Sequence, residues 1–333
     1  MKRLDVIRTA LMGSAAGLLA SAPAGVLAAS PDPAPPAPGA KSFWPDGVRL
    51  PISLSLMFES GSQPGFNPPT PFGNFVPPKG VYDMPTISWY RYGATEGIER
   101  ALDMYDKLSV KVTSHMSGLS VQTYPAIAKE IVHRGHEAAA HGWDWSQESA
   151  MTEAQELAFI KRNVDVIRRV TGQTPVGYNA PGLRGTKDIL QNLNRLGFLY
   201  HIDDVSRDEP FIVEITPTRS IVVVPYAVYL NDIRAYEARN FSSDEFLGEL
   251  KRAFDELYDE AGYRKRMMAV TMHDRLQRPE HVNAMFEFIK YTQTKPGVAY
   301  MKKVDIAKIT MADKSSIREK IGNVYPVIPG LYR

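Results

Sequence analysis

The chain has 333 residues, 44% hydrophobic and 23% charged, which is ordinary for a globular protein and allows one large α/β domain or two smaller ones. It contains no cysteine, so disulfides, thiolate catalysis and cysteine-ligated metal sites are excluded. The formal net charge is only +2, and it falls to about zero without the basic N-terminal segment. Composition therefore predicts no nucleic-acid partner.

Residues 1–28 have the pattern of a secretory signal peptide. Basic residues precede a small, apolar run that ends at an alanine-rich cleavage site. A serine and a proline interrupt the run, which argues against a permanent membrane span, although an uncleaved anchor is the alternative. Residues 29–42 form a proline-rich tether. The pattern predicts export to the periplasm or cell envelope, with a catalytic domain at 43–333.

Helical segments then alternate with short apolar strands. Thr152 with Gln155, and Ser242 with Glu245, form capping boxes that predict two helix starts, and Gly172 predicts the end of the first helix. The predicted strands are 51–59, 110–115, the alanine run before His141, 176–179, 198–204, 221–229, 267–273 and 298–304. The predicted helices are 95–108, 125–134, 152–172, 186–196, 242–262 and 279–292.

Roughly seven strands that alternate with helices require parallel pairing with right-handed crossovers. We therefore predict an α/β fold with a single barrel-like domain rather than two domains. The segment 61–84 is rich in proline and glycine, and a loop this long is usually functional or disordered. Its sequence does not say whether it closes a pocket.

Polar residues stand at the carboxyl ends of the predicted strands, the face where barrel enzymes place their chemistry. Two histidines and a carboxylate each end a strongly apolar run, and such groups can be tuned for proton transfer near neutral pH. For one histidine alone, a satisfied core residue is the more common explanation. The predicted strand-end residues are Glu59, His141, Asn179, Asp204, Asp232 and His273.

These residues belong to motifs that resemble the polysaccharide deacetylase superfamily, carbohydrate esterase family 4 with the NodB-homology fold. Within it, the chain looks similar to metal-independent allantoinases and related cyclic-amide hydrolases. The resemblance implies a deformed (β/α)7 barrel that hydrolyses a non-peptide carbon–nitrogen bond. The motifs are Met57-Phe-Glu59, Arg91-Tyr-Gly93, Gly135-His-Glu137, His141-Gly-Trp-Asp-Trp145, Gly197-Phe-Leu-Tyr200, Val224-Pro-Tyr226, Asn231-Asp232 and Met272-His-Asp-Arg-Leu276 with Arg278-Pro279.

The chain departs from the family at the metal ligands. Metal-dependent members carry Asp-Asp in the first motif, where this chain has Glu59-Ser60, and His-x-x-x-His in the second, where it has His141 and Trp145. Tryptophan cannot ligate a divalent ion, and one histidine is a poor zinc site. We predict no metal and no other cofactor, with zinc as the alternative. The third motif has Asn179 in place of an arginine, and Arg184 is the predicted substitute.

Without a metal, side chains alone must activate water. The resemblance implies that Glu59 is the general base, with a pKa raised by a partly apolar pocket. His273 is the predicted general acid, and His141 is predicted to hold water or the amide oxygen. The predicted substrate-binding residues are Ser60, Trp143, Trp145, Asn179, Arg184, Asn231, Asp232 and Arg275. Core packing is the alternative for Trp143, and a salt bridge is the alternative for Arg275.

Three functions stay open at this point. Loss of the metal ligands favours a small or cyclic amide or ureide as substrate, whereas export favours deacetylation of an N-acetylated glycan. A catalytically silent glycan-binding barrel is the third. A long aromatic trough would favour a polymer and a closed pocket would favour a small ring. The chain 324–333 resembles a packing segment, so a homo-oligomer is left open.

Overall fold

A computed structural model describes residues 42–64, 68, 70–73, 78 and 80–325. The predicted signal peptide, nearly all of the tether, part of the loop 61–84 and most of the C-terminal segment lie outside the described residues. The predicted domain boundaries at 28 and 42 therefore remain predictions. Among the described residues, no helix is long and apolar enough to cross a bilayer.

The described chain forms a parallel β-sheet surrounded by helices. Its strands are β1 (Leu50–Phe58), β2 (Thr113–Met116), β3 (Glu137–Ala140), β4 (Gly177–Tyr178), β5 (Tyr200–His201), β6 (Phe211–Thr216), β7 (Arg219–Val223), β8 (Met268–His273), β9 (Val298–Tyr300) and β10 (Arg318–Lys320). Its helices are α1 (Met84–Tyr92), α2 (Ile98–Lys107), α3 (Gly118–Thr123), α4 (Pro125–His133), α5 (Glu153–Thr171), α6 (Ile189–Arg195), α7 (Ser243–Glu260), α8 (Pro279–Gln293), α9 (Lys303–Ala312) and α10 (Ile321–Val324).

The strand order β7-β5-β4-β3-β2-β1-β8 is parallel throughout, which confirms the predicted parallel α/β architecture. In the described residues the barrel is not closed by a continuous ladder. An isolated parallel bridge between Asn231 and Thr271 lies on the open side of β8. β6 runs antiparallel to β7, and β10 extends the sheet beyond β6.

β1 lies between β2 and β8, and every one of its residues is buried. Its side chains alternate between two environments, as the pleat requires. Leu54 and Leu56 face the layer of helices and belong to the larger apolar cluster. Ser53 lies on the other face, where Lys303 of α9 donates a hydrogen bond to its hydroxyl at 3.1 Å. The barrel interior is therefore partly polar beneath the catalytic face.

The two predicted capping boxes are confirmed at the start of α5 and α7, and Gly172 ends α5 with φ +77°. The first helical region was predicted too short. Helix begins at Met84, not residue 95, and a π-helical turn at Gly93–Gly97 joins α1 to α2. The predicted strand 221–229 is shorter in the structure, where β7 ends at Val223 and a 3-10 turn follows at Val228–Leu230.

Candidate active site

A cavity of about 850 Å³ opens at the carboxyl ends of the strands. Its wall combines three aromatic rings with polar and charged groups from six connecting loops. Among its lining residues are Glu59, Tyr90, His141, Trp145, Glu148, Asn179, Arg184, Asp203, Tyr226, Asn231, Arg234, Glu237, His273 and Arg275. The convergence of these side chains follows from the parallel strands of the sheet, which end at the same face.

Glu59 follows β1 and lies at the centre of this face, only 5% exposed. Its Oε1 is 3.0 Å from Nε2 of His141, and its Oε2 accepts a hydrogen bond of 3.0 Å from the guanidinium of Arg275. Nε2 of His273 lies 4.0 Å from the same Oε1. The carboxylate thus faces nitrogen atoms of three side chains from two strand ends, with His141 after β3 and both His273 and Arg275 at the end of β8.

The contacts of His141 determine where its protons are. Its Nδ1 lies 2.8 Å from the backbone oxygen of Asn179, which can only accept, so Nδ1 carries a hydrogen. Its Nε2 faces Glu59, so one further proton must be shared between that nitrogen and the carboxylate. Gly142, with φ +62°, turns the chain directly after the histidine. Asn163 of α5 accepts the backbone N–H of His141 at 2.9 Å and fixes the strand end.

His273 is oriented by Asp232. The ring Nδ1 and the backbone N–H of His273 each lie 2.6 Å from an oxygen of this fully buried carboxylate. Burial alone would lower the pKa of His273, but the charges of Asp232 and Glu59 overcome it and raise the pKa. The free ring nitrogen points toward Glu59 and the cavity. This is the arrangement of a proton donor.

Arg275 is held in a rigid cage. Its Nε and one terminal nitrogen donate to the two oxygens of Glu237, each at 3.2 Å. The guanidinium carbon lies 5.2 Å from the Tyr90 ring centroid and 5.3 Å from that of Trp145. Guanidinium groups stack favourably on aromatic faces, so the cage stabilises the charge as well as its position. Its 2% exposure means that this cation is buried beside Glu59.

The three cations decide the ionisation of Glu59. Desolvation raises its pKa, but His273, His141 and Arg275 together outweigh that effect and lower the pKa to about 2. The expectation of a raised pKa is therefore wrong, because it considered only the apolar surroundings. With Glu59 ionised, its two oxygens are the acceptors that face His141 and Arg275.

The cavity includes most of the predicted substrate-binding residues: Trp145, Asn179, Arg184, Asn231 and Arg275. Asp232 lies behind His273 rather than in the cavity wall. Ser60 does not line it either, since its hydroxyl donates to the backbone oxygen of Tyr90 at 2.9 Å. Trp143 was placed there wrongly. It packs in the apolar core beneath the guanidinium of Arg162, 3.4 Å from the ring centroid, because Gly118 leaves room for its ring.

Sequence reasoning missed three acidic residues of the wall. Asp203, not the predicted Asp204, faces the cavity; it accepts a hydrogen bond from Asn179 at 2.7 Å, and burial raises its pKa to about 7. Glu148 is buried against the hydroxyl of Tyr178. Glu237 comes from a π-helical turn without apolar periodicity. Only the adjacent pair at 203–204 offered a signal, and the pattern did not say which member turns inward.

The chain is similar in sequence and in structure to polysaccharide deacetylases. A family model described as polysaccharide deacetylase matches residues 78–201. A Pseudomonas aeruginosa PAO1 structure described as a probable polysaccharide deacetylase superposes with a TM-score of 0.75 at 28% identity, covering 81% of this chain and 94% of that one. The chain carries a polysaccharide deacetylase domain. This family hydrolyses carbon–nitrogen bonds other than peptide bonds, and the chain is an enzyme of that class.

Two further proteins that resemble this chain carry the names of two different activities. The structure of Puue allantoinase superposes with a TM-score of 0.75 at 27% identity, covering 81% of this chain and 93% of the allantoinase. A Helicobacter pylori protein named peptidoglycan deacetylase is 26% identical over 253 residues, 66% of this chain and 86% of the relative.

The residues of this domain do not fit the divalent ion of metal-dependent deacetylases. At the two altered ligand positions, the Ser60 hydroxyl bonds to a backbone carbonyl and Trp145 offers no lone pair. Glu59 is already paired with Arg275 and His141. Within the described part of the chain, no group of three or more histidine or acidic side chains is arranged to hold a metal ion.

Proposed function

We propose that this enzyme hydrolyses the carbon–nitrogen bond of a small or cyclic amide or ureide without a metal, after export to the periplasm or cell envelope. The observation that supports it is the buried group of Glu59, His141, His273 and Arg275. It combines a carboxylate whose pKa is lowered, Glu59, with an imidazole whose pKa is raised, His273, in the wall of one cavity. These are the protonation states that a base and an acid need at the start of one reaction.

In the proposed reaction, Glu59 takes a proton from water as the water oxygen bonds to the carbonyl carbon. His273 then gives its Nε2 proton to the nitrogen as the carbon–nitrogen bond breaks, leaving a carboxylic acid and an amine or its ring-opened equivalent. A carboxylate with a pKa of about 2 is a weak base. We therefore infer that His141 and Arg275 transfer hydrogen bonds from Glu59 to the carbonyl oxygen as charge develops there. The loss of these hydrogen bonds raises the proton affinity of Glu59 while Glu59 takes the proton from water.

Deacetylation of an N-acetylated glycan is the second candidate, and the relative named peptidoglycan deacetylase favours it. The rings of Tyr90, Trp145 and Tyr226 in the cavity wall suit a sugar face as well as a flat heterocycle. The loop 61–84, which was expected to shape the entrance, lies partly outside the described residues. The silent glycan-binding alternative is not favoured, because the proton-transfer groups are retained and correctly paired.

The deciding experiment combines metal analysis with a substrate panel. The purified protein is analysed for bound metal before and after incubation with zinc, then assayed with hydantoin-like and ureide rings and with N-acetylated chito-oligosaccharides. We expect substoichiometric metal, ring opening unaffected by chelator, and little acetate release. Tightly held zinc together with chelator-sensitive acetate release would replace the proposal with glycan deacetylation.

A further inference from the structure

Arg275 follows directly after His273 and Asp274, so one short loop supplies the acid, a structural carboxylate and a cation. Asp274 accepts the backbone N–H groups of Glu59 and Ser60 at 2.9 and 2.8 Å. That contact ties the loop to the first motif. The guanidinium of Arg275 is therefore positioned by rigid bonds rather than by a flexible surface side chain.

The guanidinium of Arg275 lies close to both positions at which the metal ligands of the family are replaced. It bonds Glu59 at 3.0 Å and stacks against Trp145, which stands at one altered position. The neighbouring Asp274 holds the backbone of Ser60, the other altered position. The ring of Tyr90 covers another side of the guanidinium. The backbone oxygen of Tyr90 accepts a hydrogen bond from the Ser60 hydroxyl.

Two carboxylates, those of Glu237 and Glu59, balance the charge of Arg275. Glu237 meets two of its nitrogens, and the indole N–H of Trp89 donates to Glu237 at 3.2 Å. Glu237 and Glu59 account for three of the five N–H groups of a guanidinium. A second carboxylate devoted to one buried arginine would serve little purpose if that arginine only neutralised Glu59. It is expected if the guanidinium must stay in place when its contact with Glu59 loosens.

We propose that Arg275 is a catalytic residue whose guanidinium supplies the positive charge that a divalent ion supplies in metal-dependent deacetylases, polarising the carbonyl of the scissile amide. This inference rests on the proposed metal-free hydrolysis. Arg184, the substitute predicted from sequence, lines the outer cavity and makes no ion pair with any described residue. Fixed donors aimed at a developing oxyanion are each associated with about 10²–10³ in kcat.

The first test measures zinc binding and needs no substrate. Ser60→Asp together with Trp145→His restores the missing ligand types, and this pair is made with Arg275 intact, with Arg275→Ala and with Arg275→Lys. We expect zinc to bind at least ten times more tightly when residue 275 is alanine than when it is arginine or lysine. Equal affinity in the three backgrounds, whether tight or undetectable, would overturn the proposal, provided that circular dichroism shows folded proteins.

The second test measures turnover. Arg275→Ala should lower kcat by about 10²–10³, and guanidinium ion added at millimolar concentration should restore part of it, as a merely structural arginine would not allow. Glu237→Gln, the matched control, keeps the cation and should lose far less. Full activity in Arg275→Ala, or a loss that guanidinium does not relieve, would overturn the proposal. If the unaltered protein opens no amide at all, the proposed function fails, and the zinc measurement still decides the role of Arg275.

Discussion

At the scale of single residues, the site depends on the proton of His273. The charge of Asp232, which lies 2.6 Å from Nδ1 of this histidine, raises its pKa. Asp232→Asn removes that charge and lowers the pKa of His273. Since the general acid must be protonated, the basic limb of the kcat/KM profile should move to lower pH, with a loss of roughly 10²-fold or more at pH 8.

Asp204→Asn is the matched control for this pH measurement. Asp204 is a buried carboxylate at the same face, but it bonds to Ser206 and Tyr325 rather than to a catalytic histidine. Its profile should keep the shape of the unaltered enzyme. If Asp232→Asn also leaves the basic limb in place, His273 is not the group that titrates there.

Glu59 should also influence stability. Its pKa is lowered from 4.5 to about 2 in the folded chain, so its contribution is present above pH 4.5 and is lost as pH falls toward 2. The shift corresponds to roughly 3 kcal/mol. Urea unfolding of the unaltered protein and Glu59→Gln between pH 6 and 3 should show a difference in free energy that shrinks with acid. A constant difference would mean that the carboxylate is not held by the three cations.

The places of His141, His273 and Glu59 were predictable because each ends a strongly apolar strand. The pKa of Glu59 was not, because it is set by His141 from one loop and by His273 and Arg275 from another. Arg275 illustrates the same limit. Its salt bridge was foreseen as an alternative, but its partner Glu237 lies on a π-helical turn without a pattern, so neither the partner nor the cage could be predicted.

At the scale of elements, the π-helical turn between α1 and α2 brings the first helical region against the catalytic loop. A Cβ on Gly97 would lie 2.1 Å from the backbone oxygen of Asp274, and one on Gly93 would lie 2.4 Å from the Ser60 hydroxyl. The helix can approach this closely only with glycine at both positions. The predicted helix began at residue 95, after Gly93 and the proline-rich stretch before it, which resemble a loop.

Gly97→Ala should destabilise the protein by about 1–3 kcal/mol, since backbone must move to admit the methyl group. The shift of Asp274 should also lower activity by disturbing Arg275. Gly248→Ala in α7 is the control. The nearest obstacle there is the flexible tip of Arg252 at 3.1 Å, so helix propensity should give a gain of about 0.5–1 kcal/mol. Thermal melting measures both, and a neutral Gly97→Ala would refute the close approach.

At the scale of the whole molecule, α9 places a buried lysine against Ser53 of β1. Lys303 is 1% exposed, and burial lowers its pKa to about 7 although Glu137 acts in the opposite sense. The unfolded chain therefore binds more protons between pH 7 and 10.5, so this lysine makes stability rise with pH in that window. α9 itself was not predicted, because its polar start reads as solvent-facing.

Lys303→Met should raise the free energy of unfolding at pH 7 by about 1–4 kcal/mol, because an apolar side chain avoids the cost of burying charge. The gain should shrink toward pH 10. Lys302→Met, at the neighbouring position that pairs with Asp305, should change stability little at any pH. Equal effects of the two substitutions in urea unfolding would show that Lys303 is not buried as a costly cation.

The pairing of β1 has a consequence for when the chain can fold. Ser53 of β1 is paired with Ala269 of β8, so the ladder beneath Glu59 and His273 joins residues about 200 positions apart. Such non-local parallel pairing is slow, and it cannot begin until β8 has left the ribosome. A newly made chain therefore stays open for longer than one with local contacts, and the candidate active site assembles only after most of the chain has been made.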